Sequence, residues 1–483
     1  MKEKYDFGGY SYFGKDEKEQ SEIERYISVV PSERQKRHSE LEYYSFIHFG
    51  INTMNNVEWG SGKEDISKFN PSKLDTDQWC KVLKESGSKG IIITAKHHDG
   101  FCLWDTEYTD HNVMNTPYGK DIVLSLRKSC DKFGLKLGIY LSPWDRHDRR
   151  YGTEEYNDHF VNQLTELCTK YGELFAVWFD GACGEGENGK KQVYDWERYY
   201  SVIRKYQSNA VISICGPDVR WIGNEGGRVR KSEWSVVPAA NADNDKIAEE
   251  SQKSENDLAF DNCAEDLGGR AILEQHKKLI WSPAEADVSV TTGWFYHNNL
   301  YYLFRQKRTA KQLADIYFNT VGGNASLLMN VPPDKNGLIS KREQKTLKKF
   351  KALIDEPFKN ELSFEFSVIE SDGSERKSKD LDSIKSDGSF SFGDDEYAMK
   401  LDFKKETEFR TLVLQEDINF SQRVEEFSVF AFDGKAYKKI NSSTVIGSKK
   451  IIRFNMAVKA ESVVIAFNKS RSNPVLRSVK VYN

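Results

Sequence analysis

The sequence lacks several features that would indicate a membrane or nucleic-acid role. No apolar run among its 483 residues reaches the ~18 residues that a membrane-spanning helix needs. The 70 basic and 74 acidic residues are mixed along the chain and leave a formal net charge of -4, so neither a nucleic acid nor a membrane surface is expected as partner. The first twenty residues contain no hydrophobic leader. We expect a cytoplasmic protein, or else a secreted one whose leader is absent from this sequence.

Cysteine is also scarce. The chain has seven, an odd number, and most of them lie inside apolar patterns. Such cysteines are typical of reduced, buried thiols in a compartment where disulfides are not needed. They are Cys80, Cys102, Cys130, Cys168, Cys183, Cys215 and Cys263.

Familiar catalytic motifs are missing too. The sequence has no GxSxG nucleophile elbow, no HExxH zinc helix and no GxGxxG dinucleotide fingerprint, and no cysteine occupies a recognisable nucleophile motif. These absences count against Ser or Cys nucleophilic catalysis and against dinucleotide chemistry. We expect no cofactor.

Short apolar runs alternate with amphipathic stretches of helical period between residues 40 and 350. Runs that are apolar on both faces suit parallel strands covered by helices, so the alternation predicts an α/β fold, a (β/α)8-like TIM barrel, with an open doubly wound sheet as its rival. Six strands are visible and two more are expected between 228 and 300. The visible strands are at 43–51, 90–96, 135–142, 174–181, 210–216 and 326–333, and helices are expected near 73–88, 120–133, 155–171, 193–207 and 309–321.

The pattern changes after residue 355. Alternation with period two appears in EYAMKLDF, EEFSVFAFDG and SVVIAF, and Asp433-Gly434 is a turn signal. We expect a catalytic barrel domain over 1–355, including an N-terminal extension, and an antiparallel β-sandwich over 356–483.

Polar residues collect at the carboxyl ends of the predicted barrel strands, where barrel enzymes place their chemistry. A single histidine there is more often structural than functional, and neighbours such as His97 and His98 should point to opposite faces of a strand. The whole group nevertheless predicts a functional rim. It comprises His48, Gly50, Lys96, His97, His98, Asp99, Tyr140, Ser142, Trp144, Asp145, Asp180, Asp218, Arg220, Trp221 and Glu225.

Three histidines on one rim raise the alternative of a metal site, but the first strand has no HxH pair. A pair of carboxylates fits the aromatic-rich rim better, because glycoside hydrolysis needs one acid ionised and another protonated. Asp180, at the end of the strand that contains VWFDG, suits the nucleophile. Glu225, in the glycine-rich GNEGG segment, suits a mobile acid/base. The competing acids are Glu185, Glu187, Glu233 and Glu285.

These pieces resemble the α-L-fucosidases of glycoside hydrolase family 29. The matching segments follow one another in order over about 290 residues. They are IHFG (47–50), EWG (58–60), KHHDGFCLW (96–104), GIYLSPWDRH (138–147), VWFDGA (177–182) and LLMNVPPDKNG (327–337).

The resemblance implies a metal-independent, retaining enzyme that acts on fucosylated oligosaccharides or glycoconjugates, with Asp180 as the nucleophile. Other positions match residues that contact the sugar, and Trp294 is expected either near the C5 methyl group of fucose or in ordinary loop packing. The matched positions are His48, Glu58, Trp59, His97, His98, Tyr140 and Trp178.

Glu225 follows Asp180 by 45 residues, in CGPDVRWIGNEGG. This spacing resembles the subgroup that cleaves α-1,3- and α-1,4-linked fucose from Lewis-type glycans. The alternatives are a broad-specificity α-fucosidase, a related exo-glycosidase or a non-catalytic sugar-binding protein. The sequence leaves the oligomeric state open.

Overall fold

A computed structural model describes residues 7, 10, 16–256, 263–298, 307–377 and 388–483. The strands of its first part are β1 (Tyr43–Ile47), β2 (Gly90–Lys96), β3 (Lys136–Leu141), β4 (Leu174–Phe179), β5 (Val211–Ile214), β6 (Arg220–Trp221), β7 (Val236–Pro238), β8 (Leu279–Trp281), β9 (Ala284–Ser289) and β10 (Ala325–Asn330). The helices are α1 (Glu17–Ile27), α2 (Glu33–Ser39), α3 (Ile51–Asn55), α4 (Thr76–Glu85), α5 (Ile122–Phe133), α6 (Glu154–Lys170), α7 (Trp196–Tyr206), α8 (Asn244–Asn256), α9 (Arg270–Leu273), α10 (Ala310–Thr320) and α11 (Lys341–Asp355).

Eight of these strands form one parallel sheet in the order β5-β4-β3-β2-β1-β10-β9-β6. A single parallel bridge between Ser213 and Val219 connects its two edges. The sheet is therefore a nearly closed barrel, which confirms the predicted (β/α)8-like architecture over the open-sheet rival.

Of the two further barrel strands expected between residues 228 and 300, one lies in that interval and one does not. β9 lies between residues 228 and 300, but the other barrel strand is β6, inside the segment CGPDVRWIGNEGG. β7 and β8 also fall in that interval, yet they pair antiparallel with each other, outside the barrel. A two-residue strand in a polar, glycine-rich segment has no periodicity of its own, and only its pairing with β9 defines it.

The five predicted helices are present, and four of them, all except α6, begin at a side-chain cap that satisfies a free backbone N–H group. Asp75 accepts from Gln78 N at 3.0 Å, and Asp121 accepts from Leu124 N at 2.7 Å. Gly134 ends α5 with φ of 64°, a left-handed conformation that glycine adopts without steric cost. Within the described ranges, no helix is long and apolar enough to cross a membrane.

The C-terminal part is antiparallel and confirms the predicted β-sandwich. Its two longest strands, β14 and β17, pair with each other along most of their lengths, with register shifts near Asp402 and Phe409. β14 also pairs with β11 in its first half and with β18 in its second. Apolar side chains of both halves share one core. The strands are β11 (Glu365–Glu370), β12 (Glu375–Arg376), β13 (Phe390–Ser391), β14 (Glu396–Glu416), β15 (Val424–Phe432), β16 (Tyr437–Thr444), β17 (Lys450–Ser470) and β18 (Val475–Tyr482).

Arg471 joins the barrel to the sandwich. It is fully buried, its guanidinium lies 3.9 Å from the centre of the Trp234 ring, and it donates to the Gly268 carbonyl of the barrel. Its charge faces Glu425 of the sandwich at 3.5 Å. A buried cation paired in this way holds two surfaces in one relative position.

We predict that Arg471→Met destabilises the protein by about 2 kcal/mol, because the Gly268 carbonyl loses its buried donor and Glu425 is left with Arg270, at 2.9 Å, as its charged partner. The control is Arg477→Met, which removes a guanidinium that is 43% exposed. Chemical denaturation followed by tryptophan fluorescence measures both. Equal stability of the two variants would contradict the role given to Arg471.

Candidate active site

A pocket with about 580 Å³ of empty space opens at the carboxyl ends of the barrel strands. Nine of the ten site residues predicted from sequence line it, and the tenth, Glu58, is bound to the backbone of the lining residue Trp294. The lining residues are Phe46, His48, Trp59, His97, His98, Tyr140, Trp178, Asp180, Gly181, Ile214, Trp221, Glu225, Ile247, Ser251, Asp287 and Trp294.

Asp180 directly follows β4, whose buried residues fix its backbone. Its Oδ2 accepts from the Tyr140 hydroxyl at 2.8 Å, and its Oδ1 accepts from Ala182 N at 2.8 Å. Burial, with the charge of Asp180 as the next cause, raises the pKa of Tyr140 well above its usual value, so this hydroxyl stays a donor. The carboxylate is held on both oxygens and still faces the pocket.

Glu225 follows β6, one barrel strand later than the sequence suggested. Burial and then the charge of Asp180 raise the pKa of Glu225 to about 7, while a hydrogen bond from Trp294 and the charge of Arg308 act in the opposite direction. Two acids of one pocket therefore differ in their settings, as acid/base chemistry requires.

The segment that carries Glu225 is held in place, although its glycines suggested mobility. Asn224 Oδ1 accepts from Gly226 N at 3.0 Å and from Arg228 N at 3.1 Å, which forms a local turn. Arg230 donates to the Ile222 carbonyl at 2.9 Å. The glycines allow the tight turn, and the side chains stiffen it.

His48 and His98 present the same tautomer to the pocket. His98 Nδ1 lies 2.7 Å from the Ser142 hydroxyl oxygen, which already donates its proton to the Trp144 carbonyl and can only accept. His48 Nδ1 lies 2.9 Å from the Asn330 side-chain oxygen. Both Nδ1 atoms therefore carry the proton, and both Nε2 atoms are acceptors.

Burial keeps these imidazoles neutral. It lowers the pKa of His48 to about 3 and that of His98 to about 4, although the Asp180 charge partly opposes the shift at His98. Burial also lowers the pKa of His97 well below its usual value. Among the described residues, no group of three His, Cys, Asp or Glu side chains is arranged to hold a metal ion.

His97 and His98 do not point to opposite faces, contrary to the expectation from strand geometry. Their ring centres are 4.1 Å apart and both rings line the pocket. The reason is that β2 ends at Lys96, so the two residues lie beyond the strand and its alternation.

Aromatic rings form much of the wall. Tyr140 and Trp178 stack with ring centres 5.1 Å apart, and Trp178 Nε1 donates to Glu285 Oε1 at 2.7 Å below the floor. Trp59 is 39% exposed at the mouth and packs edge-on against His98. A pocket of this kind has a rigid apolar floor and an aromatic residue free to meet a ligand at its entrance.

Glu58 holds the segment that contains Trp294. Its carboxylate accepts from Trp294 N at 2.7 Å and from Phe295 N at 3.3 Å, and it also bonds to His297 Nε2. The Trp294 indole lies close enough to Glu225 to lower the pKa of that acid as a donor, and it lines the same pocket. The structure thus connects Glu58 to the pocket through Trp294.

The competing acids lie outside the pocket lining. Glu285 is buried beneath the floor, where it accepts from Tyr44 and Trp178, and Glu233 forms a buried ion pair with Arg220. Glu187 pairs with Lys63 at 2.6 Å on the surface, and the backbone of Glu185 forms an isolated antiparallel β-bridge with that of Lys191.

Several other rim residues serve the framework. Lys96 is buried and donates to Asp145 Oδ2 at 2.9 Å. Asp218 faces away from the pocket, where it pairs with Arg34 at 3.0 Å and Arg204 at 2.5 Å. These residues are polar because they form ion pairs within the framework. A sequence pattern does not distinguish such residues from residues that contact a ligand.

Asp287 is a pocket residue that the sequence reading missed. It is 5% exposed on β9, its Oδ1 accepts from Trp221 Nε1 at 2.8 Å, and burial and then the Glu225 charge raise its pKa well above the usual range. The available signal was Glu285 and Asp287 at period two in a buried strand, since two inward acids are costly unless they are satisfied or used. Ile214, Ile247 and Ser251 were missed as well and carry no comparable signal.

We predict that His98 stays neutral, with its proton on Nδ1, at every pH above about 5. Its lowered pKa means that protonation begins only near pH 4. Two-dimensional NMR of 15N-histidine-labelled protein measures the tautomer, and Ser142→Ala, which removes the acceptor, is expected to relax the preference. A positively charged His98 at pH 6 would contradict the geometry.

Comparisons with known proteins agree with this architecture. The α-L-fucosidase family model matches residues 6–355. Alpha-L-fucosidase 1 of Arabidopsis thaliana is 36% identical over 94% of this chain and 88% of its own.

Two solved structures are similar along nearly the whole chain. A glycoside hydrolase 29 family member from an unknown rumen bacterium is 33% identical with a TM-score of 0.76, over 94% of this chain and 77% of its own. A Ruminococcus gnavus family 29 fucosidase in complex with fucose is 29% identical with a TM-score of 0.78, over 94% and 95%. The chain belongs to the α-L-fucosidase family, glycoside hydrolase family 29.

Proposed function

We propose that the protein is a retaining exo-α-L-fucosidase that removes α-1,3- and α-1,4-linked fucose from Lewis-type glycans. One observation carries the catalytic part of the proposal. Asp180 and Glu225 line the same pocket, and the pKa of Glu225 is raised to about 7, chiefly by burial and then by the charge of Asp180. One acid is thus available as a nucleophile while the other keeps its proton near neutral pH.

In the first step, an oxygen of the Asp180 carboxylate attacks the anomeric carbon of fucose. The bond from that carbon to the glycosidic oxygen breaks, and the Glu225 proton passes to the departing oxygen. The products are a fucosyl ester on Asp180, an ionised Glu225 and the released aglycone alcohol.

In the second step, Glu225 acts as the base. It takes a proton from a water molecule whose oxygen attacks the anomeric carbon, and the ester bond to Asp180 breaks. Fucose leaves with its original anomeric configuration, and both carboxyl groups return to their starting states.

The remaining pocket residues recognise the sugar. The acceptor Nε2 atoms of His48 and His98 suit the hydroxyl hydrogens of fucose, because a neutral imidazole can accept where a charged one cannot. His97, Trp59, Tyr140 and Trp178 complete the wall against the ring. We assign Glu58 to the support of this wall through Trp294, whose indole points at Glu225 instead of serving only as packing.

The linkage preference rests on the acid/base segment. Glu225 lies 45 residues after Asp180 in CGPDVRWIGNEGG, an arrangement that resembles that of the subgroup restricted to α-1,3 and α-1,4 linkages. Trp221 of the same segment lines the pocket, and Ile247 and Ser251 lie next to Gly181. We expect these residues to contact the sugar that leaves.

We predict that the activities of Glu225 and Asp180 variants differ in their dependence on the leaving group of the substrate. Glu225→Ala should cleave Lewis x trisaccharide about 10²- to 10⁴-fold more slowly, because general acid catalysis is lost. Single-turnover formation of the fucosyl-enzyme from fucosyl fluoride should be largely preserved, since fluoride departs without a proton. Asp180→Ala should lose turnover of both substrates and still bind fucose.

The matched control for this experiment is Glu185→Ala, which removes a carboxylate from the loop after β4 outside the pocket. It should retain both activities. If Glu225→Ala cleaves the trisaccharide within a few fold of the wild-type rate, the acid/base assignment is wrong.

We predict release of fucose from Lewis a and Lewis x trisaccharides and little release from 2'-fucosyllactose. Early proton NMR spectra should show the α anomer of fucose before mutarotation, because two displacements restore the configuration. Comparable rates on all three substrates would indicate broad specificity, and early β anomer would indicate inversion.

A further inference from the structure

The end of β9 contacts the acid/base segment through two side chains. Asp287 Oδ1 accepts from Trp221 Nε1 at 2.8 Å, four residues before Glu225. At the other contact, the Arg308 guanidinium donates to the Glu225 carbonyl at 3.2 Å and to the Ser289 carbonyl. The end of β9 therefore holds the segment at two points, at Trp221 directly and at Glu225 through Arg308.

Arg308 is itself fixed to the barrel. Its backbone N donates to the Val290 carbonyl at 3.3 Å, just beyond the end of β9. Its planar fork reaches two carbonyl groups of different segments, a geometry that a lysine ammonium on a flexible stem does not reproduce. Among the described residues, this guanidinium donates to two acceptors, the backbone carbonyl oxygens of Glu225 and Ser289.

The charge of Arg308 also acts on the acid. Burial lowers the pKa of Arg308, and the charged group that raises it is Glu225. The guanidinium in turn lowers the pKa of Glu225, against the effects of burial and Asp180. Arg308 is partly buried, and its hydrogen bond goes to the backbone of Glu225, so its charge acts on the carboxyl group of the same residue through space.

We propose that Arg308 is a positioning residue that anchors the backbone of Glu225 to the end of β9 and so keeps the acid in place before a substrate arrives. The Asp287–Trp221 hydrogen bond holds the start of the same segment. This proposal rests on the proposed function, because it assigns to Arg308 a role that acts through the acid/base.

The test compares Arg308→Lys and Arg308→Met with wild type on Lewis x trisaccharide and fucosyl fluoride. Both variants should lose about 10- to 100-fold in kcat/KM on the trisaccharide, because a displacement of about 1 Å in a catalytic group costs up to that much. Formation of the fucosyl-enzyme from fluoride should change by less than about threefold, since that step needs no acid. L-fucose binding measured by calorimetry should be unchanged in both.

The pH profile separates positioning from a general structural effect. Glu225 must be protonated in the first step, so kcat/KM falls as pH rises through its pKa. Arg308→Met removes a charge that lowers this pKa, so the alkaline limb should move to higher pH. Arg308→Lys retains the charge, so its limb should stay near that of wild type while its rate falls.

Lys307→Gln is the matched control, because it removes the neighbouring cation, which pairs with Glu343 at 2.9 Å and does not contact the Glu225 segment. It should cleave both substrates at the wild-type rate. The proposal is overturned if Arg308→Lys and Arg308→Met cleave the trisaccharide like Lys307→Gln, or if they lose both substrates equally.

Glu225→Ala in the same assay distinguishes two kinds of failure. If it shows no dependence on the leaving group, the acid/base assignment fails and the role of Arg308 fails with it. If Glu225→Ala shows that dependence and the Arg308 variants do not, only the role of Arg308 is refuted.

Discussion

The electrostatic interaction between Asp180 and Glu225 is the constraint on which the site depends. Two carboxyl groups in one partly buried pocket cannot both carry charge cheaply, since each disfavours ionisation of the other and burial disfavours both. The protein resolves this conflict by unequal surroundings. Asp180 receives donors on both oxygens, whereas burial and then the charge of Asp180 raise the pKa of Glu225 to about 7. Neutral histidines add no positive charge that would cancel this difference.

The framework places these groups by different means. Asp180 follows a barrel strand with a neighbour on each side, so ladders of backbone hydrogen bonds to β3 and β5 fix its position. Glu225 follows a two-residue strand that has one ladder partner, and side chains of other segments fix it. Some of this support comes from a part of the chain that is distant in sequence. Glu58 accepts a hydrogen bond from Trp294 N, 236 residues later, and Trp294 lies near Glu225.

The parts of the fold that could be predicted are those with a local signal. The run GIIITAK predicted the first and the last residue of β2 correctly, because a strand buried on both faces is apolar along its length. The VWFDG segment likewise gave the end of β4 and the carboxylate beyond it. In contrast, β6 is defined by Arg220 facing Ala284, and the adjacency of His97 and His98 is defined by where β2 stops. Such features arise from pairing and chain ends, which no local pattern encodes.

The seam of the barrel explains why the acid needs so many supports. β5 and β6 are joined by a single bridge, and Ile214 beside it adopts φ of 70°, an unfavourable conformation for a β-branched residue. Without a regular ladder across the seam, the backbone after β6 would be free to move. Arg230, Asn224 and Arg308 provide hydrogen bonds there in place of the missing ladder. The position of the nucleophile is therefore a property of the sheet, and the position of the acid is a property of side chains, so substitutions near the seam can displace Glu225 while Asp180 stays in place.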